Sequence, residues 1–338
     1  MSRWLLVPLF ALIVSALSAS AQEPAAPMAP TVSIAAPQEP ILFARTLQLF
    51  RNAPVSIAPF GFAIPAQCDG SGRMYFNSFT PPSNEHTYFS IGPDGTGQIV
   101  YPIPQDLDRQ PHNDDFYVES NGKVDLLVML PGSSLTWLGF NADGSLNSRT
   151  QLNVPTDLGL ESLAVTDSGY MFLMAHHPED KRRPEESGKT WRGIFRPTGD
   201  LVTTFPVAAL KEPWGPPTER VTAAGEKFYW ATDHSIVVMD ATGTVEREIP
   251  LHKPDARDLV SALQISGNMA ELTLAHLFGD HKMSFSYLVV DLTSGNPYGL
   301  YLPPNEGLRQ MTCFNSSRGF TFLGPVNKRM MLGQALLP

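Results

Sequence analysis

One stretch, Glu219 to Leu251, constrains the fold more than any other part of this 338-residue chain. It contains four short runs of apolar, β-branched and aromatic residues separated by turn residues, with Gly225 in the first turn and Gly243 in the last. Such short runs with turn chemistry between them predict a four-stranded antiparallel meander. A single sheet of this size cannot bury both of its faces, so the chain must contain further copies of it.

The copies are marked by two series of glycines. The first-turn glycines recur at intervals of 42 to 56 residues, at Gly72, Gly122, Gly169, Gly225, Gly267 and Gly319. The second-turn glycines keep step with them, at Gly95, Gly144, Gly199, Gly243 and Gly295. With 31 prolines, 26 glycines and only 17% charged residues, the composition is that of a turn-rich β protein. We therefore predict an all-β fold, a six-bladed β-propeller with four-stranded antiparallel blades.

The sixth unit, Leu308 to Pro338, has only three strands, and the missing strand is predicted to come from the other end of the chain. Ala44 to Phe50 resembles the fourth strands of other units. We expect residues 44–50 to pair with residues 330–336, which would complete the last blade and cover an exposed sheet edge. The alternative is an outer cap made by residues 41–64, with a short last blade.

The two cysteines bear on ring closure. Cys68 and Cys313 each lie on the first strand of their unit, and units one and six are neighbours in a closed ring. In an oxidising compartment they are predicted to form a disulfide that closes the ring. The alternative is a pair of buried free thiols, because first strands near the axis can be too far apart to bridge.

The N-terminus reads as an export signal. Arg3, an apolar run from Trp4 to Leu17 and small residues before Gln22 predict a signal peptide over residues 1–21. The Pro/Ala-rich residues 22–40 predict an extended linker, and residues 41–338 the propeller. The expected location is therefore secreted or periplasmic, with no membrane span, and we expect a monomer.

Charge excludes one class of partner. The formal net charge is −9, and removal of residues 1–21, with one Arg and no acid, changes it to −10. A chain this acidic has no basic surface for nucleic acid. The expected partner is a protein, a small molecule or a carbohydrate.

The segment GEKFYWATDHSIVVMDATGTVEREI resembles an NHL repeat in its Gly, aromatic pair, acidic residue, aliphatic pair and Asp–Gly turn. Tyr229 to Asp233 is also similar to the YWTD signature, with Ala231 inserted. Both resemblances imply a six-bladed propeller. The other units keep the spacing without the letters.

The predicted topology sorts residues onto two faces. The short-turn face carries the turns from strand one to two and from three to four. The long-loop face carries the other connections, and all eight histidines fall there. Loops on one side of a rigid ring commonly hold binding residues, although polar loops also collect histidine by composition alone. We predict ligand-binding residues on this face, namely Glu161, Arg220, Trp214, Arg309 and His234; packing between blades is the alternative for Trp214.

Two functional hypotheses follow. The first is a binding or interaction module. The second is a calcium-assisted hydrolase or lyase at the channel mouth, since lactonase-type propellers hold Ca²⁺ there. Its candidate metal ligands are Asn113, Asp114 and Asp258, with Glu161 as a further ligand and His112 as general base. Arginines such as Arg220 and Arg309 would compete by pairing with those carboxylates.

Overall fold

The computed structural model confirms a six-bladed β-propeller whose blades are sheets of four antiparallel strands, and one of these sheets carries a fifth, parallel strand at its edge. It describes residues 43–55, 61–80, 85–108, 113–129, 135–155, 158–177, 189–209, 219–277, 283–309, 311–327 and 329–338. All of these lie in one compact unit, residues 40–338. The predicted signal peptide and linker lie outside the described residues, so both stay predictions.

The strands follow the chain in order, and the blades are numbered I to VI. Two strands precede blade I: β1 (Ala44–Thr46) and β2 (Leu49–Pro54). Blade I contains β3 (Gly61–Cys68), β4 (Met74–Thr80), β5 (Glu85–Ile91) and β6 (Ile99–Tyr101), and is followed by the short helix α1 (Gln105–Asp108). Blade II contains β7 (Asn113–Val118), β8 (Val124–Met129), β9 (Leu135–Phe140) and β10 (Leu146–Leu152).

The next two blades have the same four-strand order. Blade III contains β11 (Gly159–Val165), β12 (Met171–His176), β13 (Lys189–Phe195) and β14 (Leu201–Ala209). Blade IV contains β15 (Arg220–Ala224), β16 (Lys227–Ala231), β17 (Ser235–Asp240) and β18 (Val245–Pro250).

The last two blades each recruit a strand from the N-terminal segment. Blade V contains β19 (Leu259–Ser266), β20 (Met269–Leu277), β21 (Met283–Asp291) and β22 (Pro297–Leu302). A 3₁₀ helix, Glu306–Leu308, leads to blade VI, which contains β23 (Met311–Asn315), β24 (Gly319–Val326) and β25 (Arg329–Ala335).

Local sequence explains the blade. The repeated turn glycines have positive φ, for example 86° at Gly72 and 89° at Gly243, a conformation that costs glycine little. The second strand of a blade is covered on both faces by neighbouring blades, so β8 is buried along its whole length and is apolar except for Asp125. The outer strand β10 is mostly exposed and correspondingly polar. Each blade therefore runs from an apolar interior to a polar rim.

Apolar clusters fill the spaces between consecutive blades. Tyr75 and Phe140 belong to the cluster between blades I and II, and Phe172 and Phe228 to the one spanning blades II to IV. Further clusters join blades IV and V, V and VI, and VI and I. Because the last of these joins the first and final blades, the core itself runs around a closed ring.

The N-terminal strand completes the last blade as predicted, but with a different register. The pairing partner is β2, in which Leu49 faces Ala335 and Pro54 faces Met331. Residues 44–46, predicted to belong to this strand, instead form β1, which runs parallel to β22 at the outer edge of blade V. The reason is the buried Leu47, which lies at the crossing between the two blades and divides the segment into two strands. No outer cap is formed by residues 43–55.

The predicted disulfide is present. Cys68 on β3 and Cys313 on β23 are bonded, with a Cα–Cα distance of 5.5 Å. The ring is therefore closed twice, by this covalent bond between inner strands and by β2 at the outer edge of blade VI.

Side chains that both donate and accept hydrogen bonds cap the inner strands. Gln67 Nε2 donates to Phe116 O at 2.7 Å, and its Oε1 accepts from Val118 N at 2.9 Å. Gln264 repeats this on blade VI, donating to Thr312 O at 3.2 Å and accepting from Phe314 N at 2.9 Å. The inner strands are the free edges of their sheets, so these caps satisfy backbone groups that no strand pairs.

The same device joins blades III and IV through a hydroxyl. Ser162 Oγ accepts from Val221 N at 3.2 Å and donates to Val221 O at 3.4 Å. The guanidinium of Arg220 then reaches blade V, where its Nε donates to Ser261 O at 2.9 Å. In most of these contacts a side chain of one blade bonds to the backbone of the next blade in the chain. Side chains therefore connect neighbouring blades around the axis.

We predict that replacing both cysteines with alanine lowers the free energy of unfolding by about 2–5 kcal/mol, the usual cost of losing a native disulfide. Denaturant unfolding without reductant, comparing the wild type with the double variant, measures this difference. A thiol assay on the unfolded, non-reduced wild type should find no free thiol. Two thiols per chain would contradict the bridge.

Gln264→Leu should destabilise the protein by about 1–3 kcal/mol, because Thr312 O and Phe314 N lose their shared partner. Gln98→Leu is the matched control, since Gln98 lies on an exposed loop. Thermal unfolding of both variants gives the comparison. Equal melting temperatures would show that water replaces the amide at no cost.

Candidate ligand site on the propeller axis

A cavity of about 540 Å³ follows the axis and is lined by the inner strands of all six blades. At the short-turn face its lining includes Asp69, Ser120 and Asn315. At the other end, where inner strands begin, it includes Asp115, Glu161 and Arg220, which is the end that the sequence singled out. A cavity of this size is typical of small-ligand sites.

Arg220 is the cation at the end of this cavity where the inner strands begin. Its Nη1 donates to Glu219 O at 2.7 Å, in addition to the Nε bond to Ser261 O. Burial lowers the pKa of the guanidinium, and the negative charges of Asp115 and Glu161 counteract that change. Blades II, III and IV thus place two carboxylates and one guanidinium at the same end of the cavity. Arg220, which was expected to compete with a metal ion for these carboxylates, is held by backbone carbonyl oxygens.

Glu161 forms a buried pair with a histidine. His176 Nδ1 lies 3.0 Å from Glu161 Oε1, and the glutamate side chain is 4% exposed against 37% for the imidazole. The interaction with the Glu161 carboxylate raises the pKa of His176, and partial burial of the imidazole acts in the opposite direction. Gly159, opposite His176 on the paired strand, makes room for this ring, because a Cβ there would lie 2.2 Å from Cε1.

A second polar cluster lies between blades III and IV. Arg192 Nε and Nη2 donate to Glu219 Oε2 at 3.0 and 2.6 Å. Trp230 Nε1 reaches the same oxygen at 3.3 Å, and the guanidinium stacks 4.9 Å from the centroid of the indole ring. A buried arginine with a carboxylate and an aromatic face is a rigid arrangement, so this cluster fixes the start of β15.

Blade V repeats the carboxylate–histidine pair. His276 Nδ1 and Asp258 Oδ1 are 2.7 Å apart. Lys253 Nζ donates to the carbonyl of Asp258 at 2.6 Å and lies 3.7 Å from Asp233 Oδ1. Asp258, a predicted metal ligand, is therefore already engaged with a histidine.

The structure brings together some predicted site residues and separates others. Glu161 and Arg220 share the axial cavity. Arg309 is exposed at the end of the 3₁₀ helix, where its carbonyl accepts from Tyr287 Oη at 2.6 Å. His234 is an exposed residue of the β16–β17 turn. Neither of these two lines the described cavity. The remaining predicted positions, His112 and Trp214, lie outside the described residues.

The candidate metal ligands come from opposite sides of the ring. Asn113 and Asp114 begin β7 in blade II, paired with Met129 and Val128, whereas Asp258 precedes blade V. Across the described part of the chain, no three His, Cys, Asp or Glu side chains form a group that could hold a metal ion. The described residues therefore provide no set of ligands for the calcium hypothesis.

Tyr117 spans part of the axis. From blade II its hydroxyl donates to Ala223 O and accepts from Ala223 N, both at 3.0 Å, on the inner strand of blade IV. Burial raises the pKa of this phenol to about 12. The Tyr117 side chain is therefore a neutral group that connects blades II and IV beside the cavity.

An acid pair lies behind Tyr117. Asp125 Oδ1 accepts from Trp137 Nε1 at 2.7 Å, and the residue is 4% exposed. Burial, and then the charge of Glu119, raise the pKa of Asp125 to about 8. Burial also raises the pKa of Glu119, which accepts from Asn121 Nδ2 at 2.9 Å. The pair therefore holds a proton at neutral pH.

Sequence reasoning missed several of these residues. Gln67, Gln264 and Tyr117 act across blade boundaries, and no local pattern marks such contacts. Arg192 lies mid-strand in an apolar run, which is the one signal that could have shown a buried charge needing a partner. The pairing of Glu161 with His176 was within reach, because both positions fall at one end of adjacent strands.

The fold and the cavity define the class of protein: a closed six-bladed propeller with a polar axial pocket. No family model matches the sequence, and no curated protein sequence matches it.

Solved structures with similar folds include a DUF4623 family protein from Bacteroides eggerthii, at 13% identity and a TM-score of 0.47 over 81% of this chain and 70% of that one. The Pan2 WD40 domain of Neurospora crassa has 9% identity and a TM-score of 0.49 over 88% and 98%. YCF48 bound to D1 peptide has 11% identity and a TM-score of 0.42 over 81% and 77%. Since these scores are below 0.5, the assignment rests on the strand pairing itself.

We predict that stability falls as pH rises through the titration of Asp125. Its pKa is raised from 3.8 to about 8 by folding, so its contribution is complete below the lower value and is lost on approaching the upper one. The melting temperature should decrease from about pH 4 to about pH 8. Asp125→Asn, which cannot ionise but can keep the indole bond, should flatten this decrease.

Asp106→Asn is the control for this experiment, because Asp106 is an exposed carboxylate of α1. It should leave the pH profile of the melting temperature unchanged. A profile that is equally steep in Asp125→Asn would assign the pH dependence to other groups.

Proposed function

We propose that this protein is a secreted or periplasmic binding module that holds its ligand, or part of a partner, in the axial cavity. The observation that carries the proposal is the cavity of about 540 Å³, in which Asp115, Glu161 and Arg220 converge from three blades. Convergent polar groups at the end of a preformed pocket are the usual means of orienting a ligand.

The arrangement favours binding over catalysis. Glu161, Glu219 and Asp258 are each engaged with a cationic or imidazole side chain inside the protein. Such pairing fixes the positions of these carboxylates and occupies oxygens that a calcium ion would need as ligands. A fold of this class serves both purposes, so the choice rests on these contacts.

Several finer features belong to the same proposal. The partner is a protein, a small molecule or a carbohydrate, with Trp214, Arg309 and His234 as contacts around the long-loop face. The acidic net charge argues against nucleic acid. The disulfide suits an oxidising compartment, and the protein acts as a monomer. The NHL and YWTD resemblances stay predictions.

One finding bears on membranes. Among the described residues, no helix has the length and apolar character needed to cross a bilayer.

A thermal-shift panel tests whether the cavity binds anything. The probes are agmatine, glutarate, xylose and a short peptide amide, each titrated to millimolar concentration. Ligand that binds the folded state alone raises the melting temperature in proportion to the logarithm of its concentration. We expect at least one probe to do so for the wild type, and Ala262→Phe, which places a ring in the cavity lining, to abolish the shift.

Ala256→Phe is the matched control, because Ala256 lies on an exposed turn between blades IV and V. It should keep the wild-type response. If every probe fails, or if a shift persists in a well-folded Ala262→Phe variant, the axial cavity is not the binding site.

A further inference from the structure

We infer that the axial site selects a cationic group, either an amine or a guanidinium; this inference rests on the proposed function. The cavity lining contains three carboxylates, Asp69, Asp115 and Glu161, and one described cation, Arg220. The formal charge of these four side chains is −2. The cavity is thus more acidic than a balanced site for a zwitterion would be.

The single cation is committed to the protein. Arg220 donates hydrogen bonds to two backbone carbonyls, Ser261 O and Glu219 O. Its guanidinium also interacts with the charges of Asp115 and Glu161. An anionic ligand would have to replace those contacts and displace two carboxylates. The position of Arg220 therefore organises the acids and does not offer a free anion receptor.

Glu161 is a deeply buried source of negative charge in the cavity wall. Its side chain is 4% exposed, and among the described residues its side-chain partner is His176. A carboxylate in such a low-dielectric position attracts a cation more strongly than one at the surface does. A neutral His176 leaves Arg220 as the cation that faces this carboxylate, whereas a protonated His176 would add a second positive charge beside it.

The walls suit a narrow, partly apolar cation. Leu160, Leu163 and Ile265 also line the cavity, and they pack in part against the apolar clusters between the blades. An alkyl chain ending in an ammonium or guanidinium group would place carbon against these side chains and charge against the carboxylates. Two sources supply this chemistry: a free organic cation, or the Lys or Arg side chain of a peptide or protein partner.

Isothermal titration calorimetry at low ionic strength and pH 8 tests the inference. Four probes are compared: agmatine, the pentapeptide amide Ac-Gly-Gly-Arg-Gly-Gly-NH₂, glutarate and xylose. We expect agmatine or the peptide to bind, and glutarate and xylose not to. Binding of agmatine alone identifies a free cation as the ligand class, and binding of the peptide alone identifies an arginine side chain.

Two variants connect the binding to the acids. Glu161→Gln keeps the size of the side chain and should weaken the cation by about tenfold or more, as expected for losing one buried charge contact. Glu248→Gln, on the exposed outer strand β18, should bind as the wild type does. Should Glu161→Gln unfold, Asp115→Asn provides the same test.

The outcomes separate the two proposals. Binding of glutarate or xylose without either cation overturns the inference and leaves the binding function in place. Equal affinity in wild type and Glu161→Gln also overturns it. If none of the four probes binds, both the inference and the axial site fail.

Discussion

Six free strand edges meet at the axis of this molecule, and the rest of the structure depends on how they are satisfied. Each inner strand is the end of its sheet, so its backbone groups have no strand to pair with on that side. An unpaired buried amide or carbonyl costs on the order of 1–3 kcal/mol. Side chains with both a donor and an acceptor, such as Gln67, Ser162 and Gln264, meet that demand from the preceding blade.

These contacts also explain why the axial pocket is polar. Groups that cap a strand edge must lie along the channel, so amides, hydroxyls and a guanidinium are concentrated where the blades converge. The cavity is what remains between them, with Tyr117 across one side. The negative charge of the cavity comes from residues such as Asp115 and Glu161. Both lie near the start of their inner strands, at the same end of the cavity. The binding function and the cohesion of the ring therefore draw on the same few strands.

The features that depend on adjacent residues could be predicted from the sequence, whereas those that depend on residues distant in the chain could not. The turn glycines predicted the six blades because a positive φ is a property of a few adjacent residues. The disulfide was predictable because two cysteines occupy equivalent strands. The register of the N-terminal strand was wrong by about five residues. It is fixed by the burial of Leu47 against blades V and VI, which the segment itself does not reveal.

The same limit applies to the candidate site. Glu161 and Arg220 were found from their topological position, since the starts of inner strands must converge. The roles of Arg192 and Asp125 were not, because each depends on a partner whose distance only the folded chain defines.

The pairing of β2 with β25 has a consequence for how the molecule forms. Leu49 and Ala335 face each other in the last blade although nearly the whole chain separates them. The sheet of blade VI cannot be assembled until β25 has been synthesised. Until then, the ring formed by the other five blades stays open. Contacts of such long range slow folding. The closing step therefore has to follow the synthesis of β25, whatever order the earlier blades follow.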